Sequence, residues 1–336
     1  MSGSASSVDA GDGLCRRARL GYACVHVSRS APVKEIRSYL GWKVDYLHPT
    51  GEPAFAAPDS VSWQVFKNQV ALAIGGVAAV LLEFADARIR SGVWDHSVFK
   101  SDPIGRSKRT GVAAMVGVYG PQSAARRVIQ GVTNMHAQVR GTTPAGEAYT
   151  ALDVELLDWV SATAGFGFLT AYDRFVKPVS DADRKRFFEE GVPVARLYGV
   201  QNPVRSLEDF DAMLQKLLPR FEPHPINTEF LDIMCSGRAA PGVPKGLQSA
   251  LVHAAVDILP PVVRERLELG PEYDLHPKGE ATVELMAGLA ERIPDPASPA
   301  AQASERLGLP RSFLWKSPGE RARLLKARDA AAFQHA

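Results

Sequence analysis

The stretch 92-GVWDHSVFKSDPIGRSKRTGVAAMVGVYGPQSAARRVIQGVTNMHAQVRG-141 decides the fold. Asp102 followed by Pro103 is a helix start: a side chain that can cap the first amides, then proline where its missing N–H costs nothing. In the helix that follows, positions 106, 109, 110 and 113 share a face. That face shows Arg106, Arg109, Thr110 and Ala113. Two arginines beside small residues fit a surface approached by an anion or a flat ligand; a solvent-facing arginine row fits them equally well. Gly120-Pro121 ends this helix and opens another. Over 124–139, Ile129, Val132, His136 and Val139 fall at spacings of three and four, which sets His136 on the apolar stripe. A histidine there is more often a satisfied core residue than a ligand. Neutral imidazole is nevertheless the commonest protein ligand for a metal or a haem iron. Periodicity alone therefore yields a buried histidine on one helix and a basic face on the other.

Working upstream, Asp59-Ser60 caps a helical run expected to be continuous over 61–90. Its middle is apolar all round, which suits a helix at the centre of the fold. The run VALAIGGVAAVLL at 70–82 is too short for a membrane span of ~20 residues and reads as a buried helix. Glu83 and Asp86 lie three apart at its end, either a solvated helix terminus or polar groups aimed into a pocket. Downstream, 142–152 reads as a loop, and Asp153 caps a helix over 154–176 with Glu155 in its first turn. Its inward stripe is Leu156, Trp159, Val160, Thr163, Phe166 and Gly167. Gly165 and Gly167 flank Phe166. A glycine inside a helix costs ~1 kcal/mol, so close approach of another helix or a flat ligand explains the pair best. Further amphipathic helices are expected over 181–199 and 207–218, around His253, and over 279–292. There is no repeat, no alternating strand run of length and no βαβ rhythm. The expected fold is all-α, a single large helical domain over 31–330 behind a flexible N-terminal segment, 1–30.

Bulk properties narrow the function. The 336 residues carry 39 basic and 37 acidic side chains, a net charge of +2. That balance disfavours nucleic-acid or anionic-membrane partners. Cys15, Cys24 and Cys235 have no CxxC spacing, so neither a disulfide framework nor a zinc site is expected. No secretory signal pattern opens the chain, and a cytoplasmic protein is expected. GxGxxG after a strand, GxxxxGK[ST], HExxH, GxSxG and paired Glu-x-x-His motifs are all missing, which disfavours nucleotide folds, hydrolases and di-iron bundles.

Several segments together resemble the haem-dependent rubber oxygenase (latex-clearing protein) catalytic-domain family, which includes the ER-bound oxygenase of mycophenolic acid biosynthesis. They are PDSVSWQVFKNQVALAIGGVAAVLLEFADARI (58–89), GVWDHSVFKSDPIGRSKRT (92–110), NMHAQVRG (134–141) and YTALDVELLDWVSAT (149–163), with a fading likeness at VARLYGV (194–200) and ILPPVVRERL (258–267). The combination of GRxxRT, HxxVRG and YxAxDxxLLxWV is specific, although no one of them is. The resemblance implies a mostly helical fold enclosing one b-type haem, with His136 as proximal iron ligand and Arg106, Arg109 and Thr110 in the pocket. Phe166 is expected beside the cofactor. In rubber-cleaving relatives the position of Arg109 is a lysine that can occupy the distal site. Arginine is not deprotonated in proteins and cannot ligate iron, so Arg109 is expected to donate to dioxygen or to a haem propionate. Two departures stand out: relatives commonly carry His-Pro where this chain has Asp86-Ala87, and WVHA where it has Trp159-Val160-Ser161-Ala162. Asp86 thereby becomes a candidate general base or substrate contact. The implied function is a haem b-dependent oxygenase acting with dioxygen on a small apolar substrate, whether isoprenoid, lipid or secondary metabolite. The alternative is a non-catalytic helical protein that binds haem or an apolar ligand. No membrane span is expected, and a homodimer is left open.

Overall fold

The apolar run 70–82 is a buried helix, as expected, but it is not part of one rod from 61 to 90. In the computed structural model, which describes residues 38–334 except 40, 41, 239 and 241, that region is three helices: α1 (Val61–Lys67), α2 (Gln69–Phe84) and α3 (Ala87–His96). The expected flexible segment 1–30, with Cys15 and Cys24, lies outside the described residues. Asn68 causes the first break. Its N–H closes α1 on the Val65 carbonyl, and its side-chain oxygen accepts from Ala71 N at 3.1 Å to open α2. Its amide nitrogen donates to the Ala287 carbonyl at 2.9 Å. One side chain that caps a new helix and satisfies a distant carbonyl outweighs helix continuation, and the axis turns by 95°. Asp86 makes the second break by capping α3, its Oδ1 accepting from Arg88 N at 2.9 Å.

A short antiparallel pair, β1 (Ser38–Tyr39) and β2 (Trp42–Lys43), precedes these helices. After them come α4 (Pro103–Tyr119) and α5 (Gln122–His136), then a hairpin of β3 (Arg140–Thr142) and β4 (Ala148–Thr150). Next are α6 (Val154–Phe175), α7 (Asp181–Leu197), α8 (Leu207–Leu217), α9 (Pro225–Cys235), α10 (Lys245–Asp257) and α11 (Pro261–Arg266). The chain ends with α12 (Pro277–Arg292), α13 (Pro299–Arg306) and α14 (Pro318–Gln334). The class is all-α. Among the described residues no single helix is long and apolar enough to cross a membrane.

The hairpin replaces the loop expected over 142–152, and α5 ends at His136 rather than 139. Tyr149 of β4 is the reason the hairpin forms here. Its ring lies against Gly92 of α3 and Gly141 of β3; a Cβ on Gly141 would stand 2.5 Å from the Tyr149 hydroxyl oxygen. That hydroxyl meets His96 Nε2 at 3.3 Å. The two ends of the stretch 92–141 therefore close on one aromatic ring, which fastens the exit of α5 to α3.

α2 and α6 cross at glycines. A Cβ on Gly75 would lie 2.5 Å from the Gly167 carbonyl oxygen, so only glycine allows this approach. Trp159 of α6 and Trp63 of α1 are fully buried. Burying such a ring contributes roughly 2–3 kcal/mol, provided the indole N–H finds an acceptor. Trp159 donates to the Leu82 carbonyl and Trp63 to that of Val118, both at 3.1 Å. The C-terminal helices are tied in by two buried cations. Arg306 donates to the carbonyls of Glu52, Tyr46 and Tyr119 at 2.7–2.8 Å. Lys67 pairs with Glu291 at 2.8 Å and donates to the Leu314 carbonyl.

Candidate active site

α6 packs tightly on α2 but not on the side facing α4 and α7. There a cavity of about 290 Å³ remains, at the small end of the range for small-molecule sites. Its walls are made of small and aromatic residues. α4 contributes Ala113, Ala114 and Gly117; α6 contributes Val160, Ser161, Ala164, Gly165 and Phe168; α7 adds Phe187, Phe188 and Val194. His136, the last residue of α5, lines the same space. Two wall glycines are compelled by neighbours: a Cβ on Gly117 would stand 3.0 Å from Val194, and one on Gly165 would stand 2.9 Å from the Phe188 ring.

The basic face lies on α4, where the sequence pattern set it. Asp102 caps the helix, Oδ1 accepting from Gly105 N at 2.8 Å. This cap fixes the glycine of GRxxRT, because a Cβ on Gly105 would fall 1.9 Å from Asp102 Oδ2. Arg109 approaches the same carboxylate at 3.8 Å and is 32% exposed. Arg106 donates to the Thr110 hydroxyl, which in turn donates to the Arg106 carbonyl at 3.0 Å. Arg106, Arg109 and Thr110 thus sit together at the solvent side of the site, none of them on the cavity wall.

His136 is partly buried, and its imidazole has no hydrogen-bond or ion-pair partner among the described residues. Burial, and then the charge of Arg106, push its pKa below the usual histidine value, so the ring is neutral at physiological pH. Glu83, near the end of α2, faces the same arginine. Burial raises its carboxyl to about 7, against the opposing pull of Arg106 and a 3.3 Å hydrogen bond from Thr163 of α6. Arg106 therefore couples electrostatically to a neutral imidazole and to a carboxyl poised near neutrality. Among the described residues no three His, Cys, Asp or Glu side chains come together as a metal cage.

Two of the expected residues are placed elsewhere. Asp86 is buried with both oxygens committed to Arg88: Oδ1 accepts from Nε at 3.0 Å and Oδ2 from a terminal nitrogen at 2.7 Å. It caps α3 and is not among the residues that line the cavity. Glu83, its neighbour three residues back, is the carboxyl group that lies under the charge of Arg106. Phe166 stacks face to face on Phe210 of α8, with ring centroids 4.2 Å apart, away from the cavity. Phe168, two residues on, supplies the aromatic wall. Ser161 does line the cavity. The α7 wall escaped sequence reasoning, since 181–199 reads only as an amphipathic helix. The signal available was Gly191 and Pro193 inside it.

The family described as ER-bound oxygenase mpaB/B'/Rubber oxygenase, catalytic domain, matches residues 63–292, more than half of the chain. The match covers α4, α5, α6 and α7, which supply most of the cavity lining, while Ala56 and Ser62 lie before it. No curated protein and no solved structure matches the sequence.

Proposed function

Because the chain belongs to the mpaB/rubber oxygenase catalytic-domain family, we propose that it is a haem b-dependent oxygenase that oxidises a small apolar substrate, an isoprenoid, a lipid or a secondary metabolite, with dioxygen. The observation that carries this reading is His136: a neutral imidazole with no partner, on the wall of an apolar cavity built from small residues. A lone imidazole suits an iron whose other ligands belong to a macrocycle. Haem, when bound, supplies an iron centre able to activate dioxygen.

The remaining roles belong to the chain. His136 would hold the iron, since burial favours its unprotonated imidazole. Arg106 and Arg109 stand at the solvent side of the site, where permanent guanidinium charge suits propionate carboxylates. Glu83 takes or returns a proton near neutral pH, with Thr163 orienting its carboxyl. Ala113, Ala164, Gly165 and Phe168 keep the reacting space dry.

An absorption spectrum tests the first step. Protein expressed with haem precursor should show a Soret band that His136→Ala abolishes or shifts. A colourless protein after haem addition would remove the oxygenase reading. A Soret band without oxygen consumption on any apolar substrate would instead leave a haem- or ligand-binding protein.

A further inference from the structure

α7 holds two residues that helices avoid, Gly191 and Pro193. Glycine weakens a helix relative to alanine, so a helical glycine calls for a reason. Gly117 and Gly165 have theirs in the side chains that crowd them. Gly191 has none of that kind: a Cβ built there meets nothing within 4 Å, and its φ is not in the left-handed region. Gly191 nevertheless lines the cavity, and it is exposed. A residue is both at once where the cavity opens.

The flanking residues describe the rim. Pro193 has no N–H, so the Glu189 carbonyl lacks its helical donor, and the turn that carries the opening is one bond short. On the other side Glu190 locks α7 to the first turn of α1. Its oxygens accept from Val61 N at 3.1 Å, Ser62 N at 2.9 Å and Ser62 Oγ at 2.9 Å. The rim is thus fixed at Glu190 and bare at Gly191. The lining residues of α7 and its C-cap run from Phe187 to Tyr198, on both sides of Gly191, over about 16 Å at a rise of 1.5 Å per residue.

We propose that Gly191 is the entrance of the cavity: the substrate passes over the bare α7 backbone there, and the missing side chain sets how wide a molecule is admitted. The proposal rests on the reading of this cavity as the substrate chamber. The class it admits is a slender, uncharged apolar molecule that threads lengthwise, since neither rim nor wall offers a free charge to a polar one.

Stopped-flow binding of N-phenyl-1-naphthylamine, a neutral probe that brightens in apolar surroundings, tests it on full-length protein. Gly191→Ala, Gly191→Leu and Gly191→Trp form the series. Gly246→Trp is the control, an exposed glycine of α10 with nothing within 4 Å and no part in the cavity. A narrowed entrance slows entry and exit alike. Gly191→Trp should therefore lower both rate constants by about tenfold or more while Kd stays within about twofold. Gly191→Leu should fall between it and Gly191→Ala, and the control should match wild type. Gly191→Ala should also raise Tm by a few degrees through the lost helical glycine, which verifies that the series folds. Unchanged rates in Gly191→Leu and Gly191→Trp would overturn the entrance. So would a weaker Kd at an unchanged association rate, which would make Gly191 mere wall. Absence of any probe signal in wild type would overturn it as well. The haem assignment is judged separately by the Soret band, so the two readings fail independently.

Discussion

Two glycines two residues apart on α6 have opposite duties. Gly167 faces α2, where a Cβ would stand 2.4 Å from the Gly75 carbonyl oxygen. Gly165 faces α7, where a Cβ would stand 2.9 Å from the edge of the Phe188 ring. The first contact is backbone against backbone, and neither helix can yield without moving as a whole. The second is backbone against a side chain that can rotate. Behind Gly167 the packing is closed, with Trp159, Leu81 and Leu82 fully buried. In front of Gly165 the cavity remains. One helix thus serves as a rigid partition, fused to the core on one side and kept small on the other. A site that must hold a fixed geometry benefits from such a wall.

The largest effect should come from the closed side. Gly167→Ala places a methyl group inside the van der Waals radius of a carbonyl, so α2 and α6 must separate along their length. A loss on the order of 3 kcal/mol or more is expected, or no folded protein at all. Denaturant unfolding measures it. A loss under about 1 kcal/mol, the size of an ordinary helical substitution, would mean that the crossing is loose and the partition is not rigid.

Next in size is Glu83, which stands where the closed crossing gives way to the polar part of the site. Its folded pKa, about 7, lies above the ordinary 4.5 because burial penalises the carboxylate. The folded state therefore holds the proton more tightly than the unfolded chain. The associated stability is full below pH 4.5, declines as pH rises and is lost above pH 7. Glutamine has no such loss. Glu83→Gln should be neutral at pH 4 and stabilising at pH 8 by on the order of 2 kcal/mol, after discounting for partial exposure. Unfolding at the two pH values gives the difference. A variant destabilised equally at both would mean that the carboxylate serves Arg106 as a structural ion pair and does not belong to the open side.

The closed side was the more legible in the sequence. Its apolar run 70–82, its glycine at 167 and its caps at Ser60 and Asp153 all follow local rules, and the structure keeps them. What escaped depends on distant partners. Asn68 reads as an ordinary helical residue until Ala287 appears opposite its amide. Asp86 reads as a lone carboxylate at a helix end until Arg88 turns back on it and Arg220 comes to within 3.7 Å. The placement of side chains was legible where one helix sufficed: the Arg106–Arg109–Thr110 face and inward-facing His136 both follow from 3.6-residue periodicity. It was illegible where a wall had to be assigned to a helix. The stripe of α6 is apolar on both sides, so periodicity alone could not tell Phe166, which stacks on Phe210, from Phe168, which faces the cavity.

The smallest effect on stability should come from the open side, and it is the most informative about function. Gly165→Ala gains about 1 kcal/mol of helix propensity and loses a comparable amount by displacing the Phe188 ring, so unfolding free energy should shift by less than about 1 kcal/mol. The ring can move away from α6 into the space that both residues line. Cavity volume then falls while the fold stands, and the Kd for a neutral apolar probe should rise about three- to tenfold, the cost of losing about a methylene of room. Gly165→Ala with wild-type affinity would show that Phe188 has space to retreat elsewhere, and that the width of the chamber is set by α4 and α7 instead. Gly165→Ala as damaging as Gly167→Ala would show that both faces of α6 are equally closed, and the partition would then have no open side.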